Sequence, residues 1–329
     1  MKHFLVALVG SLLLGLAPLA YGDGREPGSL LVFPIFNSVD GAASVVTVTN
    51  INGDTSIDPS SRLMGGTIDV EYIYIDSETC EEFNRTERLT PKDTLAVIAN
   101  AHNPNQSLGY LYVFAKDPLS GEPITFDWLI GQNQVIDGIL SLQYGVNVFV
   151  FEGRTDEGMP TDVDEDRIRD LDGTEYEQAP DELLFPRFMG QGVGFDSSLV
   201  LINLTGGTQF TTTLDFLIYN DNEYAFSSEY TFRCWDIVPL VEISGVFRDD
   251  FLKLTDNSPR EIRGLENVEA GWFRVDGGIA NSGIRSFEDP AFLGFLTEFI
   301  GPFGGADLPF QQGVQDNGDL LPRSVHGDL

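Results

Sequence analysis

Between Ser44 and Asn50 the chain alternates, with apolar Val46 and Val48 set against Thr47 and Thr49. A two-residue period is that of a strand with one face buried. The period returns where Val70, Tyr72 and Tyr74 enclose Asp69 and Glu71, and again where Leu214, Phe216 and Ile218 stand against Thr213 and Asp215. Turn residues separate such stretches, and no long segment carries the 3.6-residue period of an amphipathic helix. Regularly spaced strands without helices predict an all-β chain built from sandwiches.

The strands come in two sets. Leu31-Val32-Phe33-Pro34-Ile35-Phe36 returns as Leu183-Leu184-Phe185-Pro186-Arg187-Phe188, and Ser44 to Asn50 returns as Ser197 to Asn203. Tyr74-Ile75-Asp76-Ser77-Glu78 matches Tyr219-Asn220-Asp221-Asn222-Glu223, and Gly109-Tyr110-Leu111-Tyr112-Val113 matches Gly271-Trp272-Phe273-Arg274-Val275. Four matches in one order mark an internal repeat. The faces of the Val70 and Leu214 strands match at a spacing of 144 and the acidic hairpins after them at 145, so a bulge or one-residue insertion is expected in one copy. Pro34 and Pro186 suit an edge strand or a strand's first residue, because proline cannot donate to a ladder.

A Phe-Pro-x-Phe opening, a Ser-to-Asn strand, an acidic hairpin and a Gly-aromatic-x-x-Val strand, in this order in both halves, resemble uncharacterised exported bacterial β-sandwich repeat proteins. The resemblance implies an immunoglobulin-like sandwich in a secreted or cell-surface setting and brings no active site with it. The expected organisation is a signal peptide over 1–22, one sandwich over 23–153, an acidic linker over 154–182, a second sandwich over 183–289 and an irregular segment over 290–329.

The signal reading rests on Lys2 and His3, an apolar run from Phe4 to Ala20, and the small-x-small triplet Ala20-Tyr21-Gly22. That run falls short of the roughly 20 residues that span a bilayer, so export is expected, to the periplasm, the cell surface or the medium, with no membrane span. Net charge is −32, with 51 acidic residues against 19 basic, and only Lys2, Lys92, Lys116 and Lys253 are lysines. Such a field repels nucleic acid and anionic membranes.

Cys80 and Cys234 are the only cysteines, and in an exported chain they are expected to form a disulfide joining the two halves. The acidic stretch suggests calcium: Asp162, Asp164, Asp166, Asp170 and Asp172 stand at alternate positions, as in hard-cation loops. It departs from an EF-hand at Arg167 and Gly173, and a solvated linker is the plainer reading. Catalysis finds little to work with. His102 and His326 are the only histidines beyond the signal, no Gly-x-Ser-x-Gly elbow occurs, and His102 reads as a loop residue. No cofactor is required. Trp128 and Trp235 lack repeat counterparts and are candidates for an exposed sugar-stacking platform, whereas Tyr110 and Trp272 share a repeat position and read as packing aromatics beside Tyr72, Tyr74 and Tyr112. The expectation is therefore a non-catalytic exported structural or interaction protein that meets a protein or glycan surface or its own copies; a carbohydrate-binding module and then a secreted hydrolase are the alternatives.

Overall fold

The computed structural model describes residues 26–139, 141–192, 194–220, 223–255, 268–301 and 303–320. The expected signal segment, His326, Asp221 and Asn222 lie outside the described residues. The chain is all-β, with antiparallel ladders between its strands and, among the described residues, three short α-helices: α1 (Ala99–His102), α2 (Leu240–Ile243) and α3 (Asp249–Thr255).

The first half contains β1 (Leu30–Asn37), β2 (Ala42–Asn50), β3 (Ile68–Asp76), β4 (Glu82–Leu89), β5 (Thr94–Ile98), β6 (Leu108–Lys116), β7 (Leu129–Asp137), β8 (Leu142–Asn147) and β9 (Phe149–Phe151). They form a five-stranded sheet, β4-β3-β6-β1-β9, and a four-stranded sheet, β5-β2-β7-β8. A short β10 (Arg169–Asp170) follows. The second half holds β11 (Glu182–Met189), β12 (Phe195–Asn203), β13 (Thr211–Asn220), β14 (Ala225–Phe232), β15 (Trp235–Pro239), β16 (Ala270–Asn281), β17 (Ser286–Glu288), β18 (Phe292–Ile300), β19 (Phe303–Asp307) and β20 (Phe310–Gln312), and β21 (Asp319–Leu320) pairs with β10. Its sheets run β14-β13-β16-β11-β20, with β17 beside β16, and β15-β12-β18-β19, the order of the first half strand for strand.

The repeated residues have matching structural duties. A Cβ on Gly109 would lie 1.9 Å from the Ile75 carbonyl oxygen, and one on Gly271 would lie 2.2 Å from that of Tyr219. Only glycine lets β6 and β16 approach their neighbours so closely. Asn50 and Asn203 each accept from the backbone N–H two residues on and close the strand they end. The prolines sit inside β1 and β11, away from the edges expected for them. Each lies where the register to the neighbouring strand shifts, between Phe33 and Phe36 and between Phe185 and Phe188, so no ladder bond is lost. The spacing of 144 holds to the ends of β3 and β13: Tyr74 faces Leu111 as Ile218 faces Phe273, and Tyr219 corresponds to Ile75. The spacing of 145 is thus a coincidence of side chains, and the extra residue falls instead in β16, where the register shifts opposite Thr213 and Leu214.

Three cores hold the chain. Leu31, Phe33, Val46, Val48, Tyr72 and Leu129 bring the two sheets of the first half together, and Leu183, Phe185, Leu199, Leu201, Phe216 and Phe292 do so in the second. The third core joins the halves. Val32, Ile73, Tyr110, Tyr112 and Phe114 from the other face of the first five-stranded sheet share it with Val200, Ile202, Leu293 and Phe295 from β12 and β18. The central strands of that sheet are buried on both faces, which is why β1 and β6 read as continuous apolar runs. Cys80 and Cys234 form a disulfide at the rim of this core, with Cα atoms 6.2 Å apart. Beside it the buried Trp235 donates from Nε1 to the Pro34 carbonyl at 2.8 Å.

Two segments differ from expectation. Residues 154–182 are no exposed linker. Leu171, Tyr176 and Ala179 are fully buried in the core between the halves, and backbone bonds tie Arg154 to Glu175, Glu177 to Glu152 and Leu171 to Gly318. A few apolar residues suffice because the halves supply the rest of the core. Nor is the stretch after Pro290 irregular: β18 is a central strand paired with β12 along its whole length, and β19 and β20 extend both sheets.

Candidate functional site

Of the acidic residues singled out from sequence, the fold brings four together and adds a fifth. Carboxylate oxygens of Asp162, Asp164 and Asp166 lie within 4.8 Å of one another, and so do those of Asp164, Asp170 and Glu175. Asp172 is spent elsewhere, accepting from the N–H and hydroxyl of Thr174. Glu175, which the sequence pattern missed, is fully buried and accepts from the N–H groups of Val163 and Asp170. Burial pushes its pKa up to about 8, against the pull of Arg169. Burial also raises Asp166, with neighbouring Asp164 and Asp162 adding to the effect. Arg169 is buried too, pairs with Asp162 at 3.0 Å and lies 5.2 Å above the Phe114 ring. It balances part of the cluster's charge from within.

The aromatic candidates divide differently from the sequence reading. Trp235 is buried between the halves, so it offers no platform. Trp128 is 42% exposed but its Nε1 donates to Glu157 at 3.0 Å. Tyr72, Tyr74, Tyr110 and Tyr112 are core residues. Trp272, expected to pack like Tyr110, is 40% exposed and stacks on Tyr219 with ring centroids 4.4 Å apart and planes 10° from parallel.

His102 is a buried residue of α1, not a loop residue. Its Nδ1 lies 2.9 Å from the Tyr74 hydroxyl and its Nε2 lies 3.4 Å from Glu87. Burial pushes its pKa below the ordinary histidine value. Tyr74 is fully buried, so the hydroxyl of this Glu–His–Tyr series is out of reach of solvent.

The surface that stands out is the outer face of the β14-β13-β16-β11-β20 sheet. Tyr219 and Trp272 lie side by side, then Ser227, Leu217, Arg274, Leu184 and Phe310, and then Glu229, Asp215, Asp276, Glu182 and Gln312, each row crossing neighbouring strands. A groove of about 440 Å³ is lined by Asp215, Leu217, Ser227, Glu229, Arg274 and Asp276. Burial raises the pKa of Asp276 against the pull of Arg274, with Glu182 and Asp181 contributing. The signal for this face was in the repeat: Tyr112 and Phe114 of β6 correspond to Arg274 and Asp276 of β16.

No family model and no curated protein matches the chain. Among solved structures, the naturally occurring empty particle (top component) of cowpea mosaic virus aligns at 10% identity over 98% of this chain and 100% of that chain, with a TM-score of 0.17. So low a score carries no argument about fold or function.

Proposed function

We propose that this chain is an exported, non-catalytic interaction protein that works through its β-sandwich surfaces. Each half is read as an immunoglobulin-like sandwich, and the open outer face of the β14-β13-β16-β11-β20 sheet as the contact surface. One observation carries the proposal. The corresponding face of the first half is already a docking face, buried against β12 and β18, whereas this one keeps its shape and stays open. It also carries a stacked aromatic pair, the kind of rigid anchor enriched in binding surfaces. The test is a photo-cross-linking amino acid placed at Trp272 in the exported protein of its own host, with Gln132 on the far face as the control. Adducts at 272 and none at 132 are expected; equal labelling, or none at either, overturns the reading.

The stacked pair favours a second reading, a glycan platform, which binding to neutral oligosaccharides would reveal. The connector is further proposed to hold a structural calcium ion. Carboxylates gathered within 4.8 Å suit a hard cation that takes only oxygen ligands, although Arg169 competes for Asp162. Millimolar calcium should raise the melting temperature and EDTA reverse it. Asp164→Asn should abolish the effect, since Asp164 belongs to both groups. A melt indifferent to calcium removes this part of the proposal.

A further inference from the structure

The row Glu229–Asp215–Asp276–Glu182 places four carboxylates directly opposite one another on four adjacent strands. Like charges in directly opposed positions destabilise a sheet. Among the described residues the face supplies one balancing group, Arg274, 3.0 Å from Glu182 and 3.9 Å from Asp276. In the first half the same row reads Thr86, Glu71, Phe114 and Leu30, and its one carboxylate is held by Lys116 at 3.1 Å and by the Thr86 hydroxyl at 2.5 Å. The second half has thus gained acid without gaining base, on a surface that is open and grooved.

We propose that this face binds an extended cationic polypeptide segment carrying Arg or Lys at alternate positions, laid across the strands along the carboxylate row. The proposal rests on the reading of this face as the contact surface and names the partner's chemistry. Strands lie about 4.8 Å apart, so four of them span roughly 14 Å, and alternate side chains of an extended segment repeat about every 6.8 Å. Three alternate basic residues therefore match the row from end to end. Leu217, next to the row, offers apolar surface to their methylene stems, and the Tyr219–Trp272 pair offers π-faces to a guanidinium beyond it. Charge disfavours other charged occupants: at a net −32, a second copy, an anionic glycan or a nucleic acid is repelled, and a neutral glycan is left to the test.

The probe is a fluorescent decapeptide of alternating arginine and serine, with alternating glutamate and serine as its counterpart, read by anisotropy at physiological ionic strength. Any basic peptide senses so acidic a protein, so two variants separate site from field. Asp215→Asn with Glu229→Gln and Asp276→Asn removes three charges from the row. Asp40→Asn with Glu78→Gln and Glu122→Gln removes three exposed charges elsewhere. The row variant should bind about ten-fold more weakly, and the distant one within about two-fold of the unaltered protein. The row variant should also melt no lower than the unaltered protein, because it loses a repulsion, so weak binding is not misfolding. Equal weakening by both variants, or binding of neutral oligosaccharide in place of the peptide, overturns the proposal. In either case adducts at Trp272 would leave the wider reading of the face as an interaction surface standing.

Discussion

The larger sheets of the two halves share the order of five strands, a bulge and a glycine, yet their outer faces have opposite fates. Tyr110, Tyr112, Phe114 and Leu30 are buried in the first half; their counterparts Trp272, Arg274, Asp276 and Glu182 meet water in the second. The four-stranded sheets are reversed. Thr47, Thr49, Ile130 and Gln132 lie partly or fully exposed in the first half, where the second has buried Val200, Ile202, Leu293 and Phe295. One outer face of each half is thus apolar and joined, and the other is polar and free. A repeat that stacks once needs this division: without polar outer faces the same geometry would continue into a head-to-tail array.

Exchanging residues between the faces gives the largest expected effect. Tyr112→Arg buries a second guanidinium near Arg169 in the core between the halves and should cost about 4–5 kcal/mol or prevent folding. The reciprocal Arg274→Tyr should stay within about 1 kcal/mol, since Arg274 makes partly exposed ion pairs. Denaturant melts of the two variants measure the asymmetry, and similar values would mean that the faces do not differ as described. Next in size is the covalent link: Cys80→Ser opens a closure between residues 154 apart in sequence and should cost about 2–5 kcal/mol. Hydrogen exchange should then quicken in β6 and β12, which face the shared core, before it quickens in β13 and β16.

A pH-dependent effect belongs to the connector that covers the joined face. Glu175 has a folded pKa of about 8, raised above its ordinary 4.5 by burial. Between these values the folded state binds the extra proton, so its contribution to stability is full below about pH 4.5 and is lost as pH rises toward about 8. Glu175→Gln should flatten that decline in melts taken across the window. An unchanged slope would show that Glu175 is already ionised in the folded protein, as it would be beside a bound cation.

Alternation in β2 and β13 was legible because each has one face on a core, and periodicity reports burial directly; in β3 it extends only over Asp69 to Glu71, since Ile73 and Ile75 are buried on the second face. The Cys80–Cys234 disulfide was legible because only one pairing exists. The connector was misread because composition counts a segment's own apolar residues and cannot count those awaiting it; Leu171, Tyr176 and Ala179 become core only against the two halves. Phe292 to Ile300 hid its strand for the reverse reason. With residues buried on both faces it shows no alternation, and an apolar run of that length reads equally as helix. The fates of Trp235 and Trp272 depended on which face meets which, and no local pattern records that.

The sequence by itself determined the all-β character, the internal repeat and the strongly acidic net charge, since each follows from residue types and their local spacing. Only the tertiary structure decided which sheet faces join, which carboxylates converge and which aromatic pair is left in water. Those outcomes depend on contacts between residues a hundred or more positions apart, where a side chain's environment is set by the surface opposite it and not by its neighbours in the chain.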